Sequence, residues 1–162
     1  MVYCVYNERG DLMKTRKLVI NALIAAIYVV LTLAFEPLSF GPLQVRISEV
    51  LMLLILINPS YSMGVVVGCL IANMFSPFIY DVFIGTSATA IAAYLMTKTD
   101  NKILGLLLPA LINGPIIGAQ LYFFEGFPFF LSSIQVFLGE IIAVFIPGIL
   151  FLDKLKKMIP NE

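Results

Sequence analysis

An all-α membrane protein with six transmembrane helices is what the sequence predicts, on three observations. Hydrophobic residues make up 60% of the 162 and charged residues only 12%, with a mean hydropathy of +1.00. Such a composition lies far from that of soluble domains. Six apolar segments succeed one another with short breaks between them, and nine of the ten lysines and arginines collect on one side of the resulting bundle.

The first twelve residues, MVYCVYNERGDL, differ in character from the rest of the chain, whereas Met13-Lys14-Thr15-Arg16-Lys17 leads straight into LVINALIAAIYVVLTLAF. Residues 1–12 are therefore expected to be an N-terminal extension, and residues 13–162 a single six-helix membrane domain. No small-residue cleavage site follows the apolar run, which argues against a cleaved signal peptide.

A helix needs about 20 residues to cross the hydrocarbon core. The first span is read as Leu18 to Phe35, closed by Glu36-Pro37. The second runs from about Ile47 to Ile57, short enough to be tilted or partly buried in protein. The third covers Met63 to Phe75 and ends at Ser76-Pro77. The fourth covers Asp81 to Met96, where Gly85, Ala88, Ala90, Ala92 and Ala93 permit close helix contact. The fifth is Ile103 to Phe124 and the sixth Phe129 to Leu152, with kinks expected at Pro109, Pro115 and Pro147.

Lys and Arg favour the cytoplasmic side. With the N-terminus inside, Arg9, Lys14, Arg16, Lys17, Lys98, Lys102, Lys154, Lys156 and Lys157 are all cytoplasmic, leaving Arg46 as the exception. A multi-pass protein of the cell membrane with both termini in the cytoplasm is the expectation.

Several classes of chemistry drop out. The absence of histidine excludes a zinc site or a histidine base of the usual kind. Cys4 and Cys69 have no metal-ligand spacing, and Cys69 reads as a small packing residue. No G-x-x-x-x-G-K-[ST] occurs, so any ATP is handled by other subunits. Balanced charge gives no sign of a nucleic-acid partner. No catalytic residue, metal or cofactor is expected.

On this topology the polar residues cluster toward the outer side. Gln44, Arg46 and Glu49 open the second span, and Glu36 closes the first. Asn73 and Asp81 bracket the loop between the third and fourth. Gln120 and Glu125 close the fifth, Gln135 and Glu140 lie in the sixth, and Asn113 sits near mid-depth. Each has a bland alternative. Arg46 and Glu49, three apart, can simply neutralise each other. Asp81 can complement a helix dipole, Asn73 can cap or join helices, and Glu36 and Glu125 can be solvated loop edges. Glu140, inside FLGEIIAVF, is the hardest to explain structurally, because an unpaired carboxylate in hydrocarbon costs several kcal/mol. Ala22 and Ala26, one helical turn apart, form a small face for a second helix or for internal packing.

The chain resembles the substrate-binding S components of energy-coupling-factor (ECF) transporters, and within them the QueT group associated with queuosine precursors. The resemblance covers about Lys14 to Lys157. Its carriers are the A-x-x-x-A at Ala22 and Ala26, VRISEVLMLLILINP (Val45 to Pro59), GCLIANMFSPFIYDVFIGTSATAIAA (Gly68 to Ala93) and FLGE (Phe137 to Glu140). It implies an S-component-like bundle that takes its solute from outside, docks on a transmembrane coupling protein through Ala22 and Ala26, and is driven by two cytoplasmic ATPases. The implied solute is a 7-deazaguanine base, its cationic aminomethyl form included. A carboxylate accepts the adjacent N–H donors of such an edge, and Asn, Gln or Arg answers the rest. Glu140 or Glu49 is expected to read the edge and Asp81 or the other glutamate to meet the amine. Arg46, Asn73, Asn113 and Gln120 complete the site, with Phe78, Tyr80 and Tyr122 as an aromatic wall. The rival readings are an S component for another vitamin such as riboflavin, an intramembrane enzyme built on paired carboxylates, and a channel.

Overall fold

The computed structural model describes residues 2–41 and 45–159, with side chains from Lys14 onward. Gln44 and the side chains of the expected extension lie outside the described residues. Among the described residues every regular element is helical. Seven α-helices occur in order: α1 (Val2–Ala34), α2 (Glu36–Ser39), α3 (Ser62–Asn73), α4 (Thr86–Met96), α5 (Lys102–Glu125), α6 (Phe129–Glu140) and α7 (Ile146–Met158). A 3-10 helix, Ile47–Leu54, lies between α2 and α3, and π turns at Asp81–Gly85 and Ile141–Phe145 lead into α4 and α7.

Three segments are long and apolar enough to cross a membrane: Lys14–Ala34, Lys102–Glu125 and Phe129–Met158. Pro59–Asn73 and Asp81–Met96 are shorter apolar helices. The second expected span does not form a regular transmembrane helix. Its 3-10 winding gives eight residues a length of only about 16 Å, against the roughly 30 Å of a hydrocarbon core. It sits inside the bundle, against α1, α3, α7 and the second π turn, with Ser48, Glu49, Met52 and Leu53 buried. Around it lies the main core, where Tyr28, Val65, Cys69, Ala92, Met96, Leu106 and Val144 meet.

Close approach of the long helices is made by glycine pairs one turn apart. A Cβ at Gly68 of α3 would lie 2.7 Å from the Tyr28 Cβ and 2.9 Å from the Ala25 Cα of α1. One turn earlier, Gly64 packs on Asn21, whose Oδ1 accepts the Gly64 N–H at 2.6 Å and so satisfies a donor in the first turn of α3. Gly114 and Gly118 of α5 repeat the arrangement against Ser133 and Phe137 of α6. These are G-x-x-x-G faces. α5 passes through Pro109 and Pro115 as one helix; Pro147 falls just after the π turn, where the sixth apolar segment divides.

The turn joining α5 to α6 is set by Gly126, whose φ of 75° lies in the left-handed region and which returns its N–H to the Leu121 carbonyl. At the opposite end of the bundle Lys102 Nζ donates to Asp153 Oδ2 at 2.7 Å.

Replacing Gly68 by leucine forces α1 and α3 apart and is expected to cost about 1–3 kcal/mol, the usual size of an overpacking defect. A thermal melt in detergent checks this. A melting temperature equal to that of the parent chain would show that α1 and α3 do not depend on this contact.

Candidate functional site

Seven polar residues singled out from the sequence, Arg46, Glu49, Asn73, Asp81, Asn113, Gln120 and Glu140, are all buried and converge on one region. The elements that deliver them arise from local sequence. Arg46 precedes the 3-10 helix and Glu49 is in its first turn. Asn73 ends α3, and Ser76-Pro77 then turns the chain so that Asp81 can open the first π turn. Asn113 and Gln120 lie on the inward face of α5, two turns apart. Glu140 ends α6 at the start of the second π turn. The first π turn thus begins at an acidic residue and the second directly follows one, and such bulges are frequent at functional positions.

Both oxygens of Asp81 are engaged. Its Oδ1 accepts from Gln120 Nε2 at 2.5 Å, its Oδ2 accepts from the Ser76 hydroxyl, and Arg46 Nη2 lies 3.9 Å from Oδ2. The pairing of Arg46 with Glu49 that their spacing allows is not made; Asp81 takes the arginine instead. The guanidinium also sits 5.5 Å from the centre of the Phe40 ring, a cation–π distance. Asn73 Nδ2 holds the local backbone, donating to the Asp81 carbonyl at 2.9 Å and to Thr86 Oγ1 at 3.1 Å.

The two glutamates are held by one oxygen each. Glu49 Oε1 accepts from Tyr28 Oη at 2.5 Å and from Thr89 Oγ1 at 3.3 Å. Glu140 Oε1 accepts from Asn113 Nδ2 at 2.5 Å. Their Oε2 atoms have no hydrogen-bond partner, nor do Asn113 Oδ1, Gln120 Oε1, Asn73 Oδ1, Arg46 Nε and Arg46 Nη2, although all are buried. Buried polar atoms are ordinarily paired, and leaving one unpaired costs about 1–3 kcal/mol. These unpaired atoms, acceptors on the carboxylates and amides and donors on the guanidinium, are gathered in one region of the bundle.

Arg46, Thr89, Asn113 and Glu140, with Gly85, Ile117 and Val136, line a cavity of about 10 Å³ there, room for roughly one water molecule. One helical turn farther along α5 and α6, toward the α5–α6 turn, lies a larger cavity of about 170 Å³. Its walls include Phe40, Phe78, Leu121, Phe127, Glu125 and Gln135. Of the expected aromatic wall only Phe78 lines it. Tyr80 stacks on Phe124 with ring centres 3.9 Å apart, and Tyr122 packs edge-on to Phe123, both on the exposed side.

Other members of the network are not legible in the sequence as site residues. Tyr28 is wholly buried in α1, and a tyrosine hydroxyl in the middle of an apolar run needs a partner; that is the one signal it offers. Cys69 does more than fill space, since its sulfur accepts from Asn73 Nδ2 at 3.4 Å and contacts Thr89 Oγ1 at the same distance. Ala22 and Ala26 stand apart from the site, on the exposed face of α1, while Ile24, Ala25 and Tyr28 are buried. Glu36 is exposed.

Tyr28→Phe removes one of the two bonds to Glu49 Oε1 and is expected to lower stability by about 1–3 kcal/mol. Thermal unfolding in detergent checks it, and an unchanged midpoint would show that the carboxylate does not need the hydroxyl.

Residues 18–157 match the family described as QueT transporter. The chain is also 33% identical over 162 aligned residues to the queuosine precursor transporter QueT of Lactococcus lactis subsp. cremoris (strain MG1363), with 90% of this chain and 95% of that protein covered. No solved structure matches it. With a membrane-type helical bundle and a family match over most of its length, the chain belongs to the QueT transporter family.

Proposed function

We propose that this protein is the substrate-specificity subunit of an ECF-type importer, taking a 7-deazaguanine queuosine precursor from outside the cell. The observation that carries the proposal is the set of unpaired buried atoms: Glu49 Oε2, Glu140 Oε2, Asn113 Oδ1, Gln120 Oε1 and Arg46 Nε. A guanine-like edge supplies adjacent N–H donors for the carboxylate and amide oxygens and a carbonyl for the guanidinium. Membership of the family, and the name of the Lactococcus relative as a queuosine precursor transporter, support the same solute.

In this reading Glu140 and Glu49 read the base, Asn113 and Gln120 complete the edge, and Asp81 and Asn73 act at one remove by fixing Arg46 and the first π turn. A bicyclic base needs more room than the inner cavity offers, so binding widens the gap between α4, α5 and α6. The α5–α6 turn faces outside, and both termini, with most of the lysines and arginines, face the cytoplasm. The exposed Ala22–Ala26 face of α1 is smooth enough for close approach by a helix of a transmembrane coupling protein, and two cytoplasmic ATPases power the assembly.

Calorimetry on the purified chain with 7-aminomethyl-7-deazaguanine, guanine and riboflavin side by side tests the proposal. Binding of the deazaguanine in preference to the other two is expected, and tight riboflavin binding would overturn the solute. Glu140→Gln is expected to weaken deazaguanine binding about tenfold or more, the size of a lost charge-assisted hydrogen bond; unchanged affinity removes Glu140 from the site. For orientation, a cysteine introduced at Phe127 should react with an impermeant maleimide on intact cells, and one at Asp100 only after permeabilisation. The opposite pattern would invert the topology.

A further inference from the structure

The second cavity has a chemistry of its own. Its walls carry three aromatic rings, Phe40, Phe78 and Phe127, and its acidic group is Glu125. Glu125 is the last residue of α5, and the left-handed Gly126 turns the chain back so that Phe127 lies on the same cavity. Although Glu125 is partly exposed, its Oε1 is shielded from solvent and has no hydrogen-bond partner. A carboxylate oxygen without a donor, set among aromatic faces, is the pattern that receives an organic ammonium, which gains from both the charge and the ring quadrupoles.

This cavity and the inner one are stacked. Ile117 lines the inner and Leu121 the outer on α5, while Val136 lines the inner and Ser132 the outer on α6. Each step is four residues, about 6 Å along a helix. Phe40 joins the two levels, since it lines the outer cavity and lies beside the Arg46 guanidinium of the inner cluster. A flat base whose hydrogen-bonding edge meets Glu140 and Asn113 therefore points its far side toward Glu125. An arm of one or two bonds on that far side brings its terminal atom into the aromatic cavity.

We infer that the two cavities form one bipartite site, in which Glu125 and its aromatic neighbours select a base bearing a protonated amine on a short arm. The inference rests on the deazaguanine reading above and extends it from the base to the arm. It also replaces Asp81 as the partner of the amine, because both Asp81 oxygens are already engaged by Gln120, Ser76 and Arg46.

The test is calorimetry on the full chain in detergent with three probes: 7-aminomethyl-7-deazaguanine, whose arm is cationic, 7-cyano-7-deazaguanine, whose arm is neutral, and guanine, which has none. The parent chain is expected to prefer the amine over the nitrile by about tenfold or more. In Glu125→Gln that ratio falls toward one, whereas in Glu140→Gln both ligands weaken and the preference for the amine is kept. A melt without ligand confirms that Glu125→Gln is folded. Equal affinity of the parent chain for amine and nitrile overturns the inference and leaves the deazaguanine reading standing, and so does an amine preference that survives in Glu125→Gln. Failure of all three probes to bind the parent chain removes the deazaguanine reading and this inference together.

Discussion

A guanidinium inside a bundle of this composition must be neutralised where it stands, and much of the architecture serves that need. Arg46 is 7% exposed, and removing a charge from water costs several kcal/mol unless it is paired. Asp81 supplies the opposite charge from another part of the chain, and Phe40 supplies a ring face. Asp81 in turn must be aimed. Ser76 and Gln120 each donate to one of its oxygens, and Asn73 holds the carbonyl of the same residue. The end of α3, the start of the first π turn and the inward face of α5 are thereby fixed relative to the 3-10 helix. The ion pair organises the site without spending its own atoms on a ligand, apart from the guanidinium nitrogens that remain unpaired.

Around that polar centre the packing is of the kind expected where lipid, not water, surrounds the helices. Hydrophobic burial gives little drive for helices to associate in hydrocarbon, so close contact and interhelical hydrogen bonds take over. Gly64 and Gly68 bring α3 onto α1, and Gly114 and Gly118 bring α5 onto α6. The first pair sets Tyr28 where its hydroxyl reaches Glu49. The second sets α6 so that Glu140 meets Asn113. Tight backbone contact and the buried Tyr28–Glu49 and Asn113–Glu140 hydrogen bonds are thus two results of the same glycines.

The helical, membrane-type character is legible in the sequence because hydropathy and basic-residue placement report directly on the solvent around the chain. So is the convergence of polar residues: intramembrane charges are expensive, and Arg46, Glu49, Asp81 and Glu140 stand out in apolar surroundings. Their pairings are not legible. Spacing makes Arg46 and Glu49 natural partners, yet Arg46 stands in extended backbone just ahead of the 3-10 segment and Asp81 comes to it from the start of a π turn; neither winding has a signature in hydrophobic periodicity. The helix contacts escape the sequence for a related reason. Ala22 and Ala26 read as a small face, while α1–α3 and α5–α6 close on the two G-x-x-x-G pairs; small-residue spacing alone does not say which face meets a neighbour. Tyr28 and Thr89 do not stand out either, because each lies in an apolar run that accounts for it equally well as packing.

The tight winding of the Ile47–Leu54 segment has a stereochemical consequence. With three residues per turn, side chains three apart eclipse one another. Glu49, Met52 and Ile55 are all buried and fall into a single file, one polar member succeeded by two apolar ones. Wound as an α-helix, the same residues would drift by about 60° at each step of three, and the file would become a spiral. A buried polar group and buried apolar ones could then not share one line, so the choice of winding, as much as the choice of residues, sets where the polar cluster stops and apolar packing begins.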